Sequence, residues 1–173
     1  MRILIISLPR TGSSSLLKDI CKSKKLKEVF EPFDGTNRYT YNDGMDNIVV
    51  KTIVLIQKPS NVLDYNEWIL EFSKKFDEVI LLSRKNLIEC AESHAYFIFN
   101  NKKKGFTSNT PYVWEETPNY NEEYLNIIKW NEELTFISNE LNIPITYYED
   151  IYDLNSENRL RKRNKNEFNK KLI

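Results

Sequence analysis

Residues 2–15 read RILIISLPRTGSSS, and the fold turns on this stretch. Arg2 to Ser7 is a short apolar run rich in branched side chains, which predicts a strand buried on both faces. Pro9 and Gly12 mark a turn from Leu8 to Gly12. From Ser13 the period changes, and Leu16, Leu17 and Ile20 fall on one side of a helix that Lys22 to Lys25 closes. A strand, a glycine turn and a helix N-terminus in succession make an anion site. The backbone N–H groups of the turn and the positive end of the helix dipole converge on one spot. The hydroxyls of Thr11, Ser13, Ser14 and Ser15 and the guanidinium of Arg10 add donors. A serine at the start of a capped helix explains a hydroxyl, but not the preset turn and charge of Pro9-Arg10-Thr11-Gly12. The nucleotide-triphosphate loop G-x-x-x-x-G-K-[ST] is a near relative in pattern. Here Ser7 stands at its first glycine and Ser13 at its lysine, so the lysine that reaches terminal phosphates is missing.

Outward from this stretch, strand and helix patterns alternate. Lys27 to Phe30 predicts a second strand, followed by a loop at Glu31-Pro32-Phe33-Asp34-Gly35 and a polar, irregular segment over 36–47. Ile48 to Ile56 predicts a strand holding one charge, Lys51. Asn61 is placed to cap a helix through Val62, Tyr65, Ile69, Phe72 and Phe76. Val79 to Ser83 reads as a strand and residues 86–99 as a helix. Lys102 to Tyr120 reads as a long loop, a length often associated with function, and carries Phe106, Tyr112 and Trp114. A helix over about 121–141 and a strand from Ile143 to Tyr148 complete the pattern. This succession predicts an α/β three-layer sandwich, with a central parallel sheet covered on both faces. One domain is expected over residues 1–154, with a basic tail over 155–173 holding seven basic residues and two Glu. Ligands in such folds bind beyond the carboxyl ends of the strands, so the residues just after each strand are the ones to read for chemistry.

Composition narrows the classes. The 173 residues carry 25 basic and 25 acidic side chains, and this balance excludes the basic excess on which nucleic-acid affinity rests. No apolar stretch approaches the ~20 residues of a membrane span. Cys21 and Cys90 are far apart, and with one His in the chain a His/Cys zinc site is not expected. Two thiols of this kind read as small core groups in a reducing, cytoplasmic setting.

Pro9-Arg10-Thr11-Gly12-Ser13-Ser14 resembles the 5′-phosphosulfate loop of the sulfotransferase superfamily, whose pattern is Pro, a basic residue, a small hydroxyl, Gly and two hydroxyls. Further islands match in the same order. Arg84 ends the strand Val79 to Ser83 and Ser93 follows on the next helix, nine residues after Arg84 and eight after Lys85. In the superfamily such an Arg and Ser hold the nucleotide's 3′-phosphate, and Lys85 could share the role. Glu31-Pro32 resembles the Glu-Pro stretch of carbohydrate-modifying members, where Glu is the general base. Such a base needs partial burial, which Phe30 and Phe33 could supply. Asp34 is the rival base. Tyr147-Tyr148-Glu149-Asp150-Ile151 resembles the family's Tyr-Glu-Asp-Leu element and reads as structural. Lys51, costly in an apolar strand unless paired, could neutralise the transferred sulfonate or pair with Glu31.

The resemblance implies a P-loop-containing nucleotide-binding fold that uses 3′-phosphoadenosine 5′-phosphosulfate (PAPS) without a metal. It implies transfer of a sulfonate to a hydroxyl or amine of a small-molecule or glycan acceptor. Thr11 to Ser15 would hold the 5′-phosphosulfate, Arg10 the charge on the leaving oxygen, and Arg84 with Ser93 the 3′-phosphate. Lys102 to Tyr120 would lie over nucleotide or acceptor. His94 sits where the family does not draw its base and reads as a helix-surface or nucleotide-pocket residue. The chain is shorter than most members and lacks their C-terminal Arg-Lys-Gly element; Arg159, Arg161, Lys162 and Arg163 could replace it electrostatically. A kinase-like phosphotransferase, a non-catalytic nucleotide-binding scaffold and an anion-binding interaction domain are the competing readings.

Overall fold

In the computed structural model, which describes residues 1–35, 40–104 and 120–152, the opening strand becomes the middle of a five-stranded sheet. The strands are β1 (Arg2–Ser7), β2 (Lys27–Phe30), β3 (Ile48–Ile53), β4 (Glu78–Ser83) and β5 (Ile145–Tyr147). The helices are α1 (Ser13–Lys24), α2 (Tyr65–Ser73), α3 (Leu87–Lys104), α4 (Tyr120–Leu141) and the single turn α5 (Tyr148–Ile151). The sheet order is β2-β3-β1-β4-β5, and every neighbouring pair is parallel. β1 pairs with β3 from Arg2 opposite Ile48 to Ser7 opposite Ile53, and with β4 from Ile3 opposite Glu78 to Ser7 opposite Leu82. Neighbours on both edges and helices on both faces leave Ile3, Leu4, Ile5 and Ile6 with no exposed surface.

The strand period of two sorts those side chains. Ile3 and Ile5 join Val49 and Leu82 against Leu16 and Leu17 of α1. Leu4 and Ile6 join Val50 and Leu81 against Ile69 and Phe72 of α2 and Ile127, Leu134 and Ile137 of α4. Handedness explains which helix takes which face. The connection from β1 to β2 runs one way along the sheet, and the other three run the opposite way. Right-handed crossovers of opposite sense must lie on opposite faces. The link from β2 to β3 contains no helix among the described residues, yet its Phe33, Tyr41 and Met45 pack with α2, on the face the rule requires. The chain leaves β1 and β4 in opposite directions, which opens a crevice beyond their carboxyl ends.

Several boundaries differ from the sequence expectation: β5 spans Ile145–Tyr147 rather than Ile143 to Tyr148, β4 starts at Glu78 rather than Val79, and α2 ends at Ser73 before Phe76. The cap of α2 is Asp64 rather than Asn61; its carboxylate accepts from the amides of Asn66 and Glu67 at 2.8 and 3.1 Å. β3 stops at Ile53 rather than Ile56, because Leu55 takes a left-handed conformation (φ 56°) and the Gln57 amide donates back to the Ile53 carbonyl at 3.1 Å. α3 runs to Lys104 rather than ending at residue 99. The aromatic residues Phe106, Tyr112 and Trp114 of the expected covering loop, and the tail 155–173, lie outside the described residues. Among the described residues no helix is long and apolar enough to cross a membrane.

Candidate functional site

The turn between β1 and α1 is fixed from several sides. The Thr11 hydroxyl is buried and donates to the Leu8 carbonyl at 2.9 Å, so it stitches the turn together. The Cys90 thiol of α3 donates to the Pro9 carbonyl at 3.0 Å, and burial pushes its pKa up to about 12, which makes it a packing and hydrogen-bonding group. Arg10 takes a left-handed backbone (φ 61°); its Nε donates to Ser93 Oγ at 3.2 Å and its guanidinium lies 5.2 Å from the centre of the Phe97 ring. Gly12 is required twice over. Its φ is 74°, and a Cβ there would fall 2.2 Å from Cε2 of Tyr148.

Gly12 is also the N-cap of α1, and no side chain caps this helix. The amides of Ser15 and Leu16 donate to the Gly12 carbonyl at 2.9 and 3.1 Å. The Ser13 and Ser14 amides belong to the first turn, where a helix supplies no carbonyl partner. They are therefore donors available to an anion, whereas the Ser15 amide is already used. Ser13 is buried, Ser14 half-buried and Ser15 exposed.

A carboxylate and an ammonium lie beside that turn. Glu31 follows β2 directly, in a left-handed conformation (φ 49°), with its amide donating to the Lys51 carbonyl at 3.0 Å. Lys51 points from β3 to the same place, forms an ion pair with Glu31 Oε1, and reaches Ser14 Oγ at 3.5 Å. Its side chain is 3% exposed and its ammonium lies 4.3 Å from the centre of the Phe30 ring. Burial pushes the Lys51 pKa below the ordinary lysine range, and the Glu31 carboxylate offsets part of that shift. Glu31 Oε2 accepts from Gln57 Nε2 at 2.7 Å. Asp34, the rival base, lies exposed in the following turn, where its amide donates to the Glu31 carbonyl at 3.2 Å.

The β4–α3 turn forms the other wall. Arg84 Nε lies 3.5 Å from Glu149 Oε1 and its Nη2 3.4 Å from Glu89 Oε2, with Tyr148 beneath the guanidinium at 5.7 Å. Glu149 Oε2 accepts from the Lys85 amide at 3.0 Å, and Lys85 Nζ pairs with Asp150. Ser93 is therefore brought to Arg10 rather than to Arg84, while Arg84 is held by carboxylates. His94 is buried on α3 where it meets α4, with Nδ1 2.7 Å from Glu123 Oε2 and its ring centre 5.3 Å from that of Trp130, the two rings perpendicular. Desolvation lowers its pKa, Glu123 raises it in part, and Arg10 adds to the lowering.

Sequence reasoning missed Gln57, Glu123 and the approach of Tyr148 to Gly12. The last is the contact that a Gly in the turn could have signalled. Among the described residues no three His, Cys, Asp or Glu side chains gather as a metal site would require. Surface hollows include one, lined by Ser138, Asn139, Asn142, Ile143 and Pro144, at the amino end of β5, away from this site, and another, lined by Lys85, Asn86, Leu87, Ile88 and Tyr124, beside the β4–α3 turn. No protein-family model matches this chain, and no curated protein matches it.

Proposed function

We propose that the chain is a sulfotransferase that binds PAPS at the β1–α1 turn and transfers to a hydroxyl or amine acceptor, with a sugar as the class the Glu-Pro stretch favours. The observation that carries the reading is the contact set joining Glu31, Lys51 and Ser14, which sets a carboxylate–ammonium pair against an uncapped helix start. An anionic phosphosulfate suits first-turn amides, two cations and a cap position with no side chain.

When bound, PAPS supplies the sulfonate to be moved. The Ser13 and Ser14 amides bind its 5′ oxygens, and Arg10 stabilises charge on the leaving phosphate oxygen. Glu31 takes the acceptor's proton on a carboxylate oxygen, and Lys51 holds that carboxylate in place by its ion pair. Arg84 meets the 3′-phosphate once Glu149 or Glu89 yields its place. That exchange of a carboxylate for a phosphate conserves charge pairing at the guanidinium.

The test is thermal melting with 3′,5′-adenosine bisphosphate beside 5′-AMP and Mg-ATP. A ligand at a hundred times its Kd adds about 2.7 kcal/mol, or several degrees at roughly 2–4 °C per kcal/mol. A shift specific to the bisphosphate supports the reading. A shift with Mg-ATP alone moves it to a phosphotransferase, and no shift with any ligand removes the nucleotide. Arg10→Ala should then bind the bisphosphate and lower turnover on the order of 10²–10³-fold. Glu31→Gln should also bind it and lose turnover; full activity would transfer the base role to Asp34 or His94.

A further inference from the structure

The turn that ends β3 delivers a side chain whose orientation is settled by its own contacts. Left-handed Leu55 reverses the chain, and the Gln57 amide closes onto the Ile53 carbonyl at 3.1 Å. The Gln57 side chain then folds over the same residue: its Oε1 accepts from the Ile53 amide at 3.0 Å. An amide side chain has one acceptor end and one donor end. With the oxygen fixed on a backbone N–H, the nitrogen must face the other way, and it donates to Glu31 Oε2 at 2.7 Å. Thr52 Oγ1 donates to the Gln57 carbonyl at 3.4 Å, which ties the same residue to the strand. Gln57 is 3% exposed, so water does not compete for these bonds.

We propose that Gln57 is a positioning residue, whose anchored amide fixes the rotamer of Glu31 and presents only a donor to it. This rests on the assignment of Glu31 as the base. Glu31 is gripped at both oxygens, by Lys51 on Oε1 and by Gln57 on Oε2. Neither partner offers an acceptor to the carboxyl group, so both oxygens meet donors only. The charged neighbours in this corner are Lys51 from β3, Glu31's own partner, and Arg10 from the β1–α1 turn, whose charge acts on Lys51. The role differs from simple packing, because a side chain of equal volume without the N–H would fill the space and leave Oε2 bare.

The experiment follows the Glu31 side-chain carboxyl carbon by 13C NMR across the carboxylate pH range, with its signal assigned by Glu31→Gln. Wild type is compared with Gln57→Met, which keeps volume and loses both polar ends. Gln57→Glu is the second variant; it keeps an acceptor for the Ile53 amide and sets a carboxylate against Oε2. The expected result is a Glu31 midpoint higher in Gln57→Met by on the order of one pH unit, and higher again in Gln57→Glu. Equal midpoints in wild type and every variant that folds would overturn the proposal. Binding of 3′,5′-adenosine bisphosphate is measured in parallel and should change less than about twofold, since Gln57 does not touch the β1–α1 turn. Shifted midpoints in a protein that ignores the bisphosphate would uphold the grip on Glu31 and overturn the transferase reading instead.

Discussion

Lys51 is the most consequential single residue in this molecule. It is buried in a central strand and its charge is matched by a carboxylate that the next strand's end supplies. Removing one member of a buried pair leaves the other unmatched, and typically costs about 3–5 kcal/mol. Glu31 retains some contact with water, so Lys51→Met should cost about 2–3 kcal/mol in urea unfolding. Adding Glu31→Gln to that variant should restore part of the loss, and strictly additive effects would mean that the pair contributes no coupling. Gly12 offers a second test with an internal control. Gly35 has a similar backbone (φ 77°) but open space at its Cβ, whereas Gly12 has the Tyr148 ring there. Gly35→Ala should cost about 1–2 kcal/mol from backbone strain alone. Gly12→Ala should cost clearly more, and equal losses would show that the ring yields freely.

Among the elements, the short ones carry the least sequence signal and much of the site. β1 and β2 have the bounds the sequence predicts; for β1 the reason is an unbroken apolar run between Arg2 and the turn at Pro9, whereas β2 has only Val29 and Phe30 before the loop at Pro32 and Gly35. The end of β3 was not legible in the same way. Val54, Leu55 and Ile56 are all apolar, and only tertiary bonds decide that the chain turns there. Gln57 was hidden for the same reason, since an amide's partners are a matter of geometry and not of spacing. The sequence reading places the cap of α2 at Asn61, and Asp64 takes that place because its carboxylate reaches two amides at once. Asp64→Ala should therefore destabilise the protein by about 1 kcal/mol in thermal unfolding, and Asn61→Ala by much less. The single turn α5 shows how little length is needed to brace two neighbouring turns. Its Tyr148 packs on Gly12, and its Glu149 holds both Arg84 and the Lys85 amide.

At the scale of the molecule, topology does what no motif could: it brings residues 10, 31, 51, 84 and 93 to one end of a parallel sheet. The alternation of strands and helices made the parallel sheet and the strand ends that carry these residues legible, while the individual pairings stayed out of reach. Seams between whole elements also set the response to acid. His94 joins α3 to α4 through Glu123, and burial holds its pKa below the ordinary histidine value. Below that value the unfolded chain takes up a proton that the folded chain resists. Unfolding therefore binds protons, and stability falls as the pH drops from about 7 through the ordinary histidine range. His94→Gln keeps a donor for Glu123 and cannot titrate, so its melting temperature should fall less between about pH 7.5 and pH 5.5. A variant as acid-sensitive as wild type would move the effect to another group.

The Tyr148 ring that seats Gly12 has one more consequence, and it concerns order in time. The ribosome makes the β1–α1 turn near the start of synthesis of this domain and its brace near the end. The nascent chain thus carries the residues of this turn long before Tyr148 can brace them. The turn gains its brace only when β5 and α5 dock, so its final shape reports completion of the sheet.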